Sequence, residues 1–150
     1  MGRVAEGAEA AGLQIAVDAS GDRTSELALD AIEHCIGAGE LRPGRHRMEH
    51  LESVTDATIE RMGELGVTAS LQPVHSDPAV LANWKAVLGD ERQEQGFPWH
   101  KFRQAGVPVT LGTDAPTAPH QALPNLFIAP PGGSATTPTL PAYPPQLAFP

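Results

Sequence analysis

Leu13-Gln-Ile-Ala-Val-Asp18 alternates apolar and polar side chains and ends on a carboxylate. Leu13, Ile15 and Val17 fall on one face and Gln14, Ala16 and Asp18 on the other, and that period of two marks a strand. Two later segments share the design, Arg45-His-Arg-Met-Glu-His50 and Val109-Thr-Leu-Gly-Thr-Asp114. Each reads as a strand with an Asp or His at or just past its C-terminal end. In parallel α/β proteins the strand ends of one face carry the chemistry, so this placement bears on function as well as fold.

The intervening residues read as helices. Asp22 or Ser20 can cap a helix over about 23–36, where Leu27, Ala28, Ala31, Ile32 and Cys35 form an apolar stripe. Gly37 and Gly39 end it, and a polar turn from Glu40 to Gly44 leads into the second strand, roughly 45–50. Thr55 caps a helix over about Asp56–Leu65 with Gly66 as its terminator. Val67–Leu71 forms a third strand closed by Gln72-Pro73, and Pro108–Gly112 a fourth. Between these, helices are expected at about Pro78–Leu88 and Pro98–Gln104, each opening on a proline as a first turn tolerates. Strand and helix alternate, so the class is α/β with a parallel sheet.

From Pro108 onward the character changes. Eleven of the fifteen prolines lie there, which makes residues 130–150 an irregular Pro/Gly-rich tail separate from a folded region over 1–129.

Composition narrows the possibilities. The chain has 150 residues, 41% of them hydrophobic, enough for one domain with a modest core. Mean hydropathy is −0.20, and no apolar run approaches the roughly 20 residues of a membrane span. The first ten residues lack the apolar stretch of a secretory signal. A net charge of −8 argues against a nucleic-acid partner. The single cysteine, Cys35, excludes an intrachain disulfide and suits a reducing compartment, so a cytoplasmic location is expected.

Asp18, His50 and Asp114 are the candidate metal ligands. Zinc and similar cations take imidazole and carboxylate, and a catalytic site leaves one position for water. Each residue also has a plain structural reading. Asp18 could cap the next helix, His50 could be an ordinary strand-end histidine, and Asp114 could open an Asx turn before Pro116. His75, just past the third strand, could contact substrate or metal or simply face solvent. His46 lies four residues before His50 on the same strand, below the rim. Trp84, Phe97, Trp99 and Phe102 fit a core, and Asp90, Glu91 and Glu94 a solvated face. Cys35 sits in a buried stripe, where a nucleophile is not expected.

Four segments carry a family resemblance. Gly12–Arg23 (GLQIAVDASGDR), Arg45–Leu51 (RHRMEHL), Leu65–His75 (LGVTASLQPVH) and Ala105–Pro116 (AGVPVTLGTDAP) resemble, in order, successive strand segments of the amidohydrolase superfamily. The nearest branch is the third amidohydrolase family, which includes N-substituted formamide deformylases. The resemblance runs from about Ala11 to Ala129. It implies a partial (β/α)₈ TIM barrel, roughly the last four strand–helix units. It also implies a divalent metal, zinc above all, and hydrolysis of carbon–nitrogen bonds in a small-molecule amide. In that mapping His50 is the sixth-strand ligand. Asp114 is the eighth-strand aspartate that binds metal and handles the proton. Asp18 stands where the family has a fifth-strand histidine, and the family's His-x-His pair has no counterpart. His75 falls where it would reach substrate.

A complete barrel of this kind takes roughly 250 residues, so the chain corresponds to about half of one. Half a barrel has open sheet edges, through which self-association is expected. The alternative to a metal-dependent hydrolase is a non-catalytic remnant of one.

Overall fold

The computed structural model describes residues 4, 7, 8, 10–37, 46–118, 121–129 and 133–142. Gly39, the turn at 40–44, Arg45 and most of the Pro-rich tail lie outside these. The described elements are β1 (Ala16–Ala19), α1 (Asp22–Gly37), β2 (Arg47–His50), α2 (Asp56–Leu65), β3 (Thr68–Leu71), a 3-10 turn (Pro73–Ser76), α3 (Pro78–Leu88), α4 (Asp90–Glu94), α5 (Trp99–Gln104), β4 (Val109–Leu111) and α6 (Ala122–Ile128).

The four strands form one sheet in the order β1-β2-β3-β4. β1 pairs with β2 in parallel, Ala16 opposite Arg47 and Ala19 opposite His50, and β2 pairs with β3 in parallel, Arg47 opposite Thr68. The Ala69 amide donates to the Pro108 carbonyl and the Gly112 amide to the Leu71 carbonyl, at 2.8 Å each. Both strands ascend together through these bonds, so β4 is parallel as well. A parallel sheet with helices between its strands is the architecture of a partial (β/α)₈ barrel.

The chain packs as two compact units. The first comprises residues 1–70 and 101–110 and holds all but the last residue of β3 and β4. Its core is built from Ala28, Leu29, Ile32 and Cys35 of α1, Met48 of β2, Ile59 and Met62 of α2, and Val67, Ala69 and Phe102, all buried. The Ser25 hydroxyl donates to the Ala19 and Gly21 carbonyls at 3.1 and 2.9 Å, which ties the start of α1 to the end of β1. Thr55 caps α2 as the sequence predicts, its hydroxyl accepting the Thr58 amide, and Gly66 terminates the helix at φ 65°. Arg61 of α2 donates to Asp30 and Glu33 of α1, and these bonds raise its already high pKa further.

The second unit comprises residues 71–100 and 111–150. Trp84, Phe97 and Trp99 stack edge to face in series, with centroids 5.7 and 5.5 Å apart. Ile128 of α6 is buried among Val74, Leu81 and Ala135. Asp77 caps α3 by accepting the Ala79 amide at 2.8 Å, and its other oxygen accepts the Ala135 amide at 2.9 Å.

Three expectations change. β1 begins at Ala16 rather than Leu13: the Leu13 amide donates to the Ala8 carbonyl at 2.8 Å and its side chain is 61% exposed. In α1, Leu29 and Ser25 take the buried stripe and Leu27 is exposed. Two residues before Leu29, it lies about 200° around the helix. Beyond Gly112 the chain forms a helix, α6, that its prolines obscure in the sequence. Pro124 occupies its first turn, where no intrahelical donor is needed. The acidic cluster likewise forms the short helix α4, with Asp90 pairing with Lys85 at 3.1 Å.

Gly63 lies where α2 passes closest to the end of α5. A β-carbon there would fall well inside contact distance of the Ala105 carbonyl oxygen. Backbone cannot yield as a flexible side chain can, so overpacking should outweigh the helix-propensity gain of just under ~1 kcal/mol. Gly63→Ala is expected to lower unfolding free energy by at least about 1 kcal/mol in urea titration, where an unchanged or higher midpoint would contradict the close approach.

Candidate metal-binding residues

β2 delivers His50 to the edge where the parallel strands leave the sheet. The strand ends abruptly, because His50 and Leu51 both adopt left-handed backbone, with φ 76° and 59°. The Leu51 amide still reaches the Ala19 carbonyl at 3.2 Å, and the Ser53 amide reaches Ser20 at 3.0 Å. These bonds and the fully buried Leu51 side chain hold the turn in place. Left-handed backbone costs a non-glycine residue of the order of 1–2 kcal/mol and persists only where its surroundings enforce it.

The His50 ring is mostly buried, with its side chain 15% exposed. Its Nδ1 lies 3.2 Å from Oε1 of Glu52, a buried carboxylate two residues on. Its Nε2 lies 3.7 Å from Oδ1 of Asp18, whose side chain is 84% exposed. A carboxylate at Nδ1 fixes the tautomer that leaves Nε2 as the ligating nitrogen, the usual arrangement behind a metal-bound histidine. Glu52 is a residue that sequence reasoning misses. Its signal is proximity alone, an acidic residue two positions past a strand-end histidine.

His46 serves another purpose. It is buried, and its Nδ1 accepts the Ile15 amide at 3.3 Å, stitching the start of β2 to the approach of β1.

In the second unit, His75 sits in the 3-10 turn after β3 and Asp114 lies three residues beyond β4. His75 Nε2 and Asp114 Oδ2 are 3.5 Å apart, with both side chains partly buried. Asp114 is left-handed as well, at φ 58°, and the Ala118 amide donates to its carbonyl at 3.1 Å. That bond is a backbone turn spanning Pro116, different from the Asx turn the sequence allowed, and the Asp114 side chain pairs with His75. The pairing of a loop histidine with the strand-end aspartate settles His75 as part of the Asp114 environment rather than an isolated surface group.

Residues 1–132 match the model of the amidohydrolase family. The chain belongs to that family. It is 33% identical over 123 residues to the putative amidohydrolase YtcJ of Bacillus subtilis (strain 168), covering 79% of this chain and 22% of that protein. It is also 33% identical over 113 residues to LONG AFTER FAR-RED 3 of Arabidopsis thaliana, covering 74% of this chain and 19% of the relative. Two solved structures described as uncharacterized metal-dependent hydrolases share the fold. The one from Pyrococcus furiosus has 31% identity and a TM-score of 0.63, covering 79% of this chain and 23% of its own. The one from Pyrococcus horikoshii OT3 has 28% identity and a TM-score of 0.71, covering 87% and 25%. The amidohydrolase chain thus spans about a fifth of the length of its curated relatives. Among its described residues no helix is long and apolar enough to cross a membrane.

The strand-end strain can be measured. His50→Ala and His50→Gly remove the same ring contacts but differ in backbone freedom. At φ 76° the glycine variant should be more stable than the alanine variant by about 1 kcal/mol, the reverse of the usual order at an extended residue. Equal stabilities, or a more stable alanine variant, would place His50 outside the left-handed region.

Proposed function

We propose that the candidate ligands, His50 in the first unit and the His75–Asp114 pair in the second, serve a divalent cation, zinc by donor chemistry, in a hydrolase acting on carbon–nitrogen bonds of non-peptide amides. Asp18, near His50, is a further candidate ligand. The observation that carries this reading is positional. In a chain of the amidohydrolase family, each of these residues lies at, or within a few residues after, the C-terminal end of a parallel strand. The donor set fits, since two imidazoles and one carboxylate are ligands that zinc accepts at a catalytic centre. The Glu52 carboxylate behind His50 supplies the expected outer support. Within the family we place the chain, by the resemblance of its segments, with the formamide deformylase-like branch and the later strands of its barrel.

When bound, the cation supplies Lewis acidity, which makes water a stronger acid near neutral pH. The chain's residues do the rest. His50 presents Nε2 because Glu52 engages Nδ1. Asp114, carrying a carboxylate beside His75, accepts a proton from the attacking water at Oδ and returns it to the departing nitrogen. The substrate is a small amide.

A second reading is a non-catalytic remnant. It is favoured by Asp18, a largely exposed carboxylate where the family has a histidine. A harder, anionic ligand re-tunes a site built for imidazole. In this reading the chain self-associates through its edge strands, β1 and β4.

Titration of the purified chain with zinc or cobalt separates the two. The metal reading expects stoichiometric binding that His50→Ala and Asp114→Ala each weaken at least tenfold. Asp18→His should tighten binding. Absence of metal uptake, with oligomers at every concentration in sedimentation, would establish the remnant instead.

A further inference from the structure

Asn125 of α6 is buried and bridges two segments that are distant in sequence. Its Oδ1 accepts the Val74 amide at 2.7 Å, and its Nδ2 donates to the Gly112 carbonyl. Val74 immediately precedes His75, and Gly112 lies two residues before Asp114. One side chain therefore holds the backbone beside both members of the His75–Asp114 pair. We infer that Asn125 is the positioning residue that sets the separation of His75 and Asp114, and so the geometry they offer a cation. This rests on the proposed metal reading.

The chemistry of the bridge selects an amide. One end must accept from an N–H and the other must donate to a carbonyl, so the orientation of the Asn125 amide is fixed by its partners. Aspartate would keep the acceptor but set a carboxylate against the Gly112 carbonyl. An apolar residue would leave a part-buried N–H and a part-buried carbonyl without Asn125. Apolar packing lies alongside the bridge. Ile128, one turn along α6, packs against Val74, Leu81 and Ala135. The other side of the His75 turn is also anchored, by Ser76 donating to the Pro73 carbonyl at 2.9 Å and by Asp77 capping α3. The Gly112 amide meanwhile donates to Leu71, so the exits of β3 and β4 are fixed to each other on the backbone side as well. His75 and Asp114 hang from this frame, and Asn125 is a side-chain strut between the two exits.

The test compares Asn125→Leu and Asn125→Asp with the wild-type chain, by cobalt titration and amide hydrogen exchange, after circular dichroism has shown each to be folded. Val74 N–H should be protected in the wild type and in Asn125→Asp, and exchange faster in Asn125→Leu. Cobalt affinity should fall roughly 10- to 100-fold in Asn125→Leu, with a changed visible spectrum, and by a smaller factor in Asn125→Asp. Should the leucine variant not fold, the aspartate variant carries the test. Wild-type affinity and spectrum in the folded variants would overturn the inference. Should the wild-type chain itself bind no cobalt, it is the metal reading that fails, and the strut is judged on the metal-free chain. There, Asp114→Asn should shift the His75 imidazole resonances in NMR spectra, and Asn125→Leu should abolish that response. A response of equal size with and without Asn125 would overturn the strut.

Discussion

Parallel pairing is the constraint on which the rest of this structure depends. With Ala19 opposite His50, and β3 and β4 continuing the same direction, every strand leaves the sheet at one edge. Asp18 and His50 lie in the last two residues of β1 and β2, and His75 and Asp114 lie within four residues past β3 and β4. A one-residue slip in register would turn each strand's side chains to the opposite face. The register sets Met48 opposite Ala69, and both are fully buried. Core packing thus sets the position of polar groups that contribute little to stability themselves.

The exits carry strain. His50, Leu51 and Asp114 are non-glycine residues in left-handed backbone, and two of them are the candidate ligands. Such conformations are retained where surrounding contacts over-determine them. Here the contacts are identifiable. Leu51 is buried and bonded to Ala19, and the Asp114 carbonyl accepts the Ala118 amide. Sharp turns at strand ends aim short side chains away from the ladder, which a regular continuation of the strand could not do.

Residues 1–132 match the amidohydrolase family, and His50 ends β2 while Asp114 lies three residues past β4. Within the matching segments, Asp18 is a departure. It is the most exposed of the candidate residues, and its carboxylate replaces an imidazole where the resemblance expects one. A charged group at a solvated sheet edge costs little to keep, so stability alone does not oppose this replacement.

Local chemistry was readable from the chain. Thr55 and Gly66 delimit α2 because capping and left-handed termination act within one turn. The parallel sheet followed from alternating periodicities, and His50 and Asp114 from their positions at strand ends. Where the sequence misled, the cause was long-range. The apolar period placed Leu13 in a strand, but its amide bonds to Ala8 and its side chain is exposed, and prolines hid α6 although Pro124 needed no donor. The pairing of His50 with Glu52 and His75 with Asp114, and the Asn125 bridge across 51 residues to Val74, belong to the tertiary structure alone. Sequence by itself determined which residues could bend, cap, alternate and ligate, since those properties are intrinsic or reach only a few positions. Only folding decided which of them meet, because a hydrogen bond between distant residues depends on packing that no local pattern encodes.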